Sequence, residues 1–110
     1  MEGRLIVGLI EEIVLEDGSK YLAKIDTGAD SSSIDEELVK KFGDKKIISY
    51  KVIRSALGRH KRPIVKLDVV FQGIHFRENF TVSNRKSLKY KILIGKDILR
   101  KEGFLVDPRK

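Results

Sequence analysis

The sequence predicts a mostly-β fold with two short helices. Three observations point to it. Apolar runs rich in Ile and Val recur along the chain. Turn pairs such as Asp17-Gly18 and Gln72-Gly73 separate them. Only two short segments, one capped near Ser33 and one starting at Asp97, look helical, each with a glycine (Gly43, Gly103) where a helix would stop.

The elements follow in order. Residues 5–15 form an apolar strand region that turns at Asp17-Gly18. Residues 20–25 (KYLAKI) are the return strand and run directly into Asp26-Thr27-Gly28-Ala29. Residues 31–33 are expected to be a loop leading to a helix, with Ser33 and Glu36 at capping-box spacing. Leu38, Val39 and Phe42 give that helix its apolar face. Residues 47–54 are a strand, residues 55–60 a hairpin tip, and residues 64–71 the return arm. A strand over residues 75–82 follows the turn at Gln72-Gly73. Residues 84–91 form a polar, basic loop. Residues 91–94 are a short buried strand ending at Gly95, residues 97–102 a short helix, and residues 104–106 a last strand. A strand, a special turn and a short helix thus occur twice, in KIDTGADSSSIDEELVKKFG and ILIGKDILRKEG, with no fixed-period repeat.

Length and composition bound the function. A chain of 110 residues suits one domain over residues 1–110, and 41% hydrophobic content suffices for one core. The absence of cysteine excludes disulfides and thiolate zinc sites. His60 and His75 do not form a His-Glu-x-x-His pair, and Asp68, Asp97 and Asp107 are scattered, so no metal and no cofactor is expected. No stretch approaches a membrane span and the N-terminus lacks a signal pattern, which points to a soluble, cytoplasmic protein. The net charge of +7 attracts polyanions, and an acidic peptide satisfies it as well as nucleic acid does.

The chemistry concentrates at Asp26. There is no Cys nucleophile and no Gly-x-Ser-x-Gly elbow. An aspartate at the end of an apolar strand is the remaining candidate for activating water. One carboxylate cannot easily act as base and acid together. Two in contact can, because they share a proton and one stays neutral. Only one Asp-Thr-Gly occurs, so a two-carboxylate site requires a second chain related by a two-fold axis. Thr27 offers a hydroxyl to brace the loop, and Gly28 offers close approach and unusual dihedrals. The tripeptide is also ordinary turn composition, so the triplet alone leaves a plain turn open.

The surrounding residues go further. LAKIDTGADSSSI resembles the active-site segment of retroviral proteases, and KILIGKDILRKEGFLVD resembles their C-terminal segment. AKIDTGA and ILIG…FLVDP are still more similar to cellular retropepsin-like proteins long labelled putative ATP-dependent zinc proteases; the zinc label gains nothing from these residues. That group is associated with glutamate ligases, and some members trim glutamate tails. The resemblance implies an all-β, retropepsin-like acid-protease barrel with one or two short helices, closed as a homodimer. It implies an aspartic endopeptidase with Asp26 as the catalytic aspartate of each chain, and Thr27 and Gly28 bracing the dyad across the dimer axis. It implies that Ala29 and Asp30 hold peptide backbone, with Asp30 paired to Lys96 after Gly95. Lysine there lacks the planar fork of arginine, so a looser pair is expected. Residues 55–62 fall where the flap lies, placing Leu57, Gly58, Arg59 and His60 over substrate.

Arg54, Arg59, His60, Lys61 and Arg62 suit capture of an acidic or glutamate-rich peptide, or simply a solvated hairpin tip. Lys86, Lys89 and Lys91 are expected to be a solvated loop, and His75 a strand residue. Two other functions compete with the peptidase. One is a non-catalytic dimeric peptide-binding module on the same fold. The other is a small basic nucleic-acid-binding protein, which has the charge but no recognised binding motif and few aromatics for stacking.

Overall fold

The computed structural model of the chain describes residues 5–41 and 47–110. The elements are β1 (Ile6–Val7), β2 (Ile10–Val14), β3 (Lys20–Ile25), β4 (Ser33–Asp35), α1 (Glu36–Lys40), β5 (Ile47–Ser55), β6 (Gly58–Phe71), β7 (Ile74–Ser83), β8 (Ile92–Ile94), α2 (Lys96–Glu102) and β9 (Leu105–Val106). One sheet runs β2-β3-β8-β4-β7-β6-β5, and β2 also pairs with β6 through Ile13–Phe71 and Val14–Val70. That second pairing closes six of the strands into a barrel and leaves the β5–β6 hairpin projecting. β1 and β9 form a separate parallel pair. Among the described residues, no helix is long and apolar enough to cross a membrane.

Alternation builds the barrel. Ile13, Ala23, Ile25, Leu67, Val69, Phe80, Ile92 and Ile94 turn inward and are buried. Fully burying an Ile or Phe contributes about 1.5–3 kcal/mol, which fixes strand register because a one-residue slip would expose the whole set. Two turns match their chemistry. Gly18 has φ 85° in the β2–β3 turn, where Asp17 Oδ1 also accepts from Ser19 N. Gln72 (φ 50°) and Gly73 (φ 78°) are both left-handed, the signature of a two-residue type I′ hairpin.

Several expected elements shift. The run over residues 5–15 is two strands in two sheets. It breaks at Gly8, where a Cβ would sit 2.3 Å from the Lys110 carbonyl oxygen. The loop expected at residues 31–33 ends in β4, which pairs with both β7 and β8 and buries Ile34 completely. Ser33 therefore lies in a strand, and Asp35 caps α1 by accepting from Glu37 N at 3.2 Å. Phe42 and Gly43, expected to end that helix, lie outside the described residues. The hairpin tip is only Ala56-Leu57, and the return arm begins at Gly58 rather than at residue 64. Residues 59–62 are charged, yet both faces of a projecting hairpin meet water, so apolar alternation is not needed there.

Candidate active site

Asp26 sits where β3 ends between two neighbours. Ile25 N donates to Leu9 O and Asp26 N donates to Ile94 O, each at 2.9 Å, so the loop is tied to both sides of the strand. The half-exposed Asp26 carboxylate accepts from Gly28 N at 2.9 Å, and Ala29 N donates to Asp26 O at 3.2 Å. The side chain thus folds back on its own loop as in an Asx turn. A Cβ on Gly28 would lie 3.2 Å from Asp26 Oδ1, so glycine makes room for the carboxylate. The unusual dihedral expected of Gly28 is not found, because the carboxylate bond rather than a left-handed residue makes the turn. Thr27 is exposed, and among the described residues its hydroxyl has no hydrogen-bond partner. It does not brace the loop within one chain.

A second layer, built from the segment after β8, supports the loop. Lys96 N donates to Ala29 O at 2.8 Å. Gly95 packs against the same backbone, and a Cβ there would lie 2.8 Å from Ala29 O and 2.9 Å from Ser31 C. Ser32, fully buried, is held from two directions. Its hydroxyl accepts from Gly95 N at 2.9 Å and donates to Asp97 Oδ1 at 2.7 Å, while its N–H donates to both Asp97 oxygens at 3.0 and 3.1 Å. Asp97, set aside above as a scattered carboxylate, therefore locks the Asp26 loop to the start of α2. Its place in the first helical turn was the available signal. Its partner, 65 residues away, was not visible in the sequence.

Lys96 Nζ lies 2.8 Å from Asp30 Oδ1, a single contact with no fork. The Lys96 hydrogen bond and charge hold the Asp30 carboxyl below its ordinary value, and Lys51 and Arg100 add to the effect. Lys51 also reaches from β5 to the Ser31 hydroxyl, so the hairpin arm touches the site at that point. The tip residues Leu57, Gly58, Arg59 and His60 are exposed, Leu57 completely. Among the described residues, no hydrogen bond or ion pair joins them to residues 26–30.

The basic loop over residues 84–91 is more structured than a solvated run of charge. Lys91 Nζ donates to the carbonyls of Arg85, Lys86 and Leu88 at 3.0, 2.6 and 2.9 Å, gathering the loop around one ammonium. Arg85 donates to Tyr90 O. Burial lowers its guanidinium pKa, and the charges of Asp35 and Asp26 oppose that shift. Asp68 binds Arg77 through both oxygens and Asp107 pairs with Arg109, so these carboxylates serve separate places. Among the described residues, no group of three or more His, Cys, Asp or Glu side chains could hold a metal.

An Asp-Thr-Gly loop at a strand end, a projecting hairpin and a closed barrel define a protein of the retropepsin-like class. Solved structures agree on the fold. The chain superposes on a protein of unknown function from Legionella pneumophila with a TM-score of 0.70 and 23% identity, covering 98% of this chain and 96% of that one. Simian foamy virus protease matches at TM-score 0.68 and 21% identity, over 83% of this chain and 91% of that one. An inhibitor-bound EIAV protease matches at 0.66 and 17%, over 94% and 92%. Residues 40–110 match the RimB-like family, described as retropepsin-like aspartic endopeptidase RimB, and the chain belongs to that family. The matched stretch begins beyond Asp26. A comparison with curated proteins finds no match.

Proposed function

We propose that the chain is a single-domain aspartic endopeptidase that works as a homodimer. The observation that carries this is the Asp26 carboxylate, half-exposed and held by the Gly28 N–H on a loop tied to two strands of a retropepsin barrel. A two-fold axis beside Thr27 brings two Asp26 side chains together. The pair then shares a proton, and its protons belong to both groups jointly. The ionised carboxylate takes a proton from a water as that water attacks the scissile carbonyl. The protonated carboxyl stabilises the developing oxyanion, and a proton then passes to the leaving nitrogen.

The other residues follow from this role. Thr27, whose hydroxyl has no partner among the described residues, and Gly28 brace the dyad across the axis. Ala29 and Asp30 hold substrate backbone, with Gly95 and Lys96 as support. Leu57, Gly58, Arg59 and His60 close over the peptide from the hairpin tip. Six Lys and Arg residues between positions 47 and 67, and no acid, favour acidic or glutamate-rich peptides through charge complementarity.

The test incubates purified protein and its Asp26→Asn variant with acidic peptides from pH 4 to 7, with fragments followed by mass spectrometry. Cleavage by the wild type alone is the expected result. Equal cleavage by both proteins, or peptide binding by a folded dimer without cleavage, would sink the catalytic assignment. The second outcome would favour the binding-module reading.

A further inference from the structure

The outer face of the β5–β6 hairpin serves neither the barrel nor the Asp26 loop. Lys51 reaches the Ser31 hydroxyl, so its face of β5 is turned to the site. Tyr50, Val52 and Arg54 alternate with it and point the other way, where Pro63, Lys61 and Arg59 stand directly opposite them on β6. Burial follows the same alternation. Lys51 and Ile53 are half-buried, while Tyr50, Val52, Arg54, Arg59 and Lys61 are exposed. At the apex, Leu57 is fully exposed. Closing over a peptide would use the tip and the Lys51 face, and would leave the Tyr50 face uncovered.

Charge and apolar surface coincide there. Residues 48–63 carry Lys51, Arg54, Arg59, Lys61 and Arg62 and no acid. Among the described residues, the side chains of Arg54, Arg59 and Lys61 have no hydrogen bond or ion pair. Tyr50, Val52 and Leu57 lie between these charges, and apolar side chains exposed together on one face mark an interaction surface. A nucleic acid would neutralise the cations and leave Leu57 in water. An anionic bilayer supplies both partners. Its headgroup phosphates match the cations, and its hydrocarbon boundary takes Leu57 and Val52, with the Tyr50 ring at headgroup level.

We infer that the hairpin is a peripheral membrane-docking element, which lays its outer face on an anionic lipid surface and inserts Leu57. β5 is the terminal strand of the sheet, and its free edge limits the depth. Unpaired main-chain N–H and C=O groups cannot enter hydrocarbon, so the ribbon rests among the headgroups. A shallow concavity walled by Val52, Arg59, His60 and Lys61 receives a headgroup phosphate. The inference stands apart from the peptidase reading, since it needs neither Asp26 nor a second chain.

The test measures sedimentation with vesicles of phosphatidylcholine alone, and of phosphatidylcholine with about one-third phosphatidylglycerol, in about 0.1 M salt. The protein is expected to bind the mixed vesicles and not the neutral ones. Arg54→Gln with Lys61→Gln is expected to weaken binding on the order of 20-fold, at about 5-fold per cation. Leu57→Ser is expected to weaken it at least about 10-fold. These side chains are all exposed, so the core is untouched, and thermal melts confirm that each variant is folded. The chain has no tryptophan, so Leu57→Trp adds a single indole at the apex. Its emission should shift to the blue on mixed vesicles and be quenched by brominated acyl chains. Failure to bind mixed vesicles overturns the inference. So does bound protein whose indole stays unshifted, or whose affinity survives either set of substitutions. Binding to oligothymidylate in preference to the mixed vesicles overturns it too, and assigns the face to nucleic acid.

Discussion

Gly95→Ala is the substitution that most directly tests whether the segment after β8 positions Asp26. The added Cβ would lie 2.8 Å from Ala29 O, where ordinary contact begins near 3.4 Å. Both of its closest contacts, Ala29 O and Ser31 C, are backbone, so no flexible side chain can swing away. The Ala29 carbonyl must retreat by about 0.6 Å, taking with it the Lys96 N–Ala29 O bond and the Ala29 N–Asp26 O bond. Overpacking of this kind costs about 1–3 kcal/mol, which lowers Tm by roughly 5–20 °C in a domain of this size. A misplacement approaching 1 Å at a reacting group costs on the order of 10- to 100-fold in kcat. Gly18→Ala is the control. Its φ is 85° and nothing lies within 4 Å of the added atom, so it strains the turn alone, by about 1–2 kcal/mol. Tm is measured by calorimetry and kcat on a peptide that the wild type cleaves. Both variants should melt earlier, but only Gly95→Ala should lose kcat well below its melting range. Equal retention of kcat by both variants would refute the positioning argument.

Other outcomes follow from single contacts. Asp97→Ala removes three hydrogen bonds from the fully buried Ser32 and should cost about 1–3 kcal/mol in urea unfolding, with Asp97→Asn losing less. Lys96→Met should raise the Asp30 pKa back toward the ordinary carboxylate value of 3.8, as read by an NMR titration; no upward movement would remove the pair as its cause. In the wild type that carboxyl is lowered on folding. Its small contribution is therefore complete above the ordinary value and fades as pH falls through the lowered one. Lys101 has the opposite sign. Its pKa is raised by Glu78, so the pair's contribution is full below the ordinary lysine value of 10.5 and fades as pH rises through the raised one. Lys101→Met leaves Glu78, only 3% exposed, without its cation. Removing one partner of a buried pair leaves an uncompensated charge, so the variant should be less stable than the wild type in denaturation curves at pH 7.

The parts of the fold that were legible in the sequence are those whose signals are local. KYLAKI alternates and ends at Asp26, and β3 occupies that same stretch. Asp17-Gly18, Gln72-Gly73 and Gly103 mark turns and a helix end because their φ values need it, and the structure has all of them left-handed or paired with a left-handed neighbour. What escaped depends on distant partners. β4 lies in a serine-rich stretch that looks like loop, and it becomes a strand because Ile34 drops between β7 and β8. The arm over residues 58–63 has no apolar pattern, since its order comes from pairing with β5. The support of the site by Asp97 needs Ser32, and nothing in local spacing joins the two.

The single chain also constrains how two copies could meet. β1 is already paired with β9, and Leu105 N and Asp107 N donate to Leu5 O and Val7 O at 2.9 and 2.8 Å. The Lys110 carbonyl takes the Leu9 N–H at 3.4 Å and packs against Gly8. These main-chain groups are therefore not open to a partner's strand, while side chains on the β1–β9 pair remain available for a contact. Ile6 and Leu105, 48% and 49% exposed and matched across the β1–β9 pair, offer an apolar pair for that purpose. Another open surface surrounds Thr27, a shallow concavity walled by Lys96, Leu99, Arg100, Phe104 and Val106. Were two copies to meet through that surface, the Arg100 guanidinium groups would bring like charge to the contact, while Lys96 is already matched by Asp30. Like charges in that position oppose association, and an acidic peptide lying between the chains would relieve the repulsion. Charge would then couple substrate binding to assembly of the dyad, so the same positive field would select the peptide and favour the dimer that cuts it.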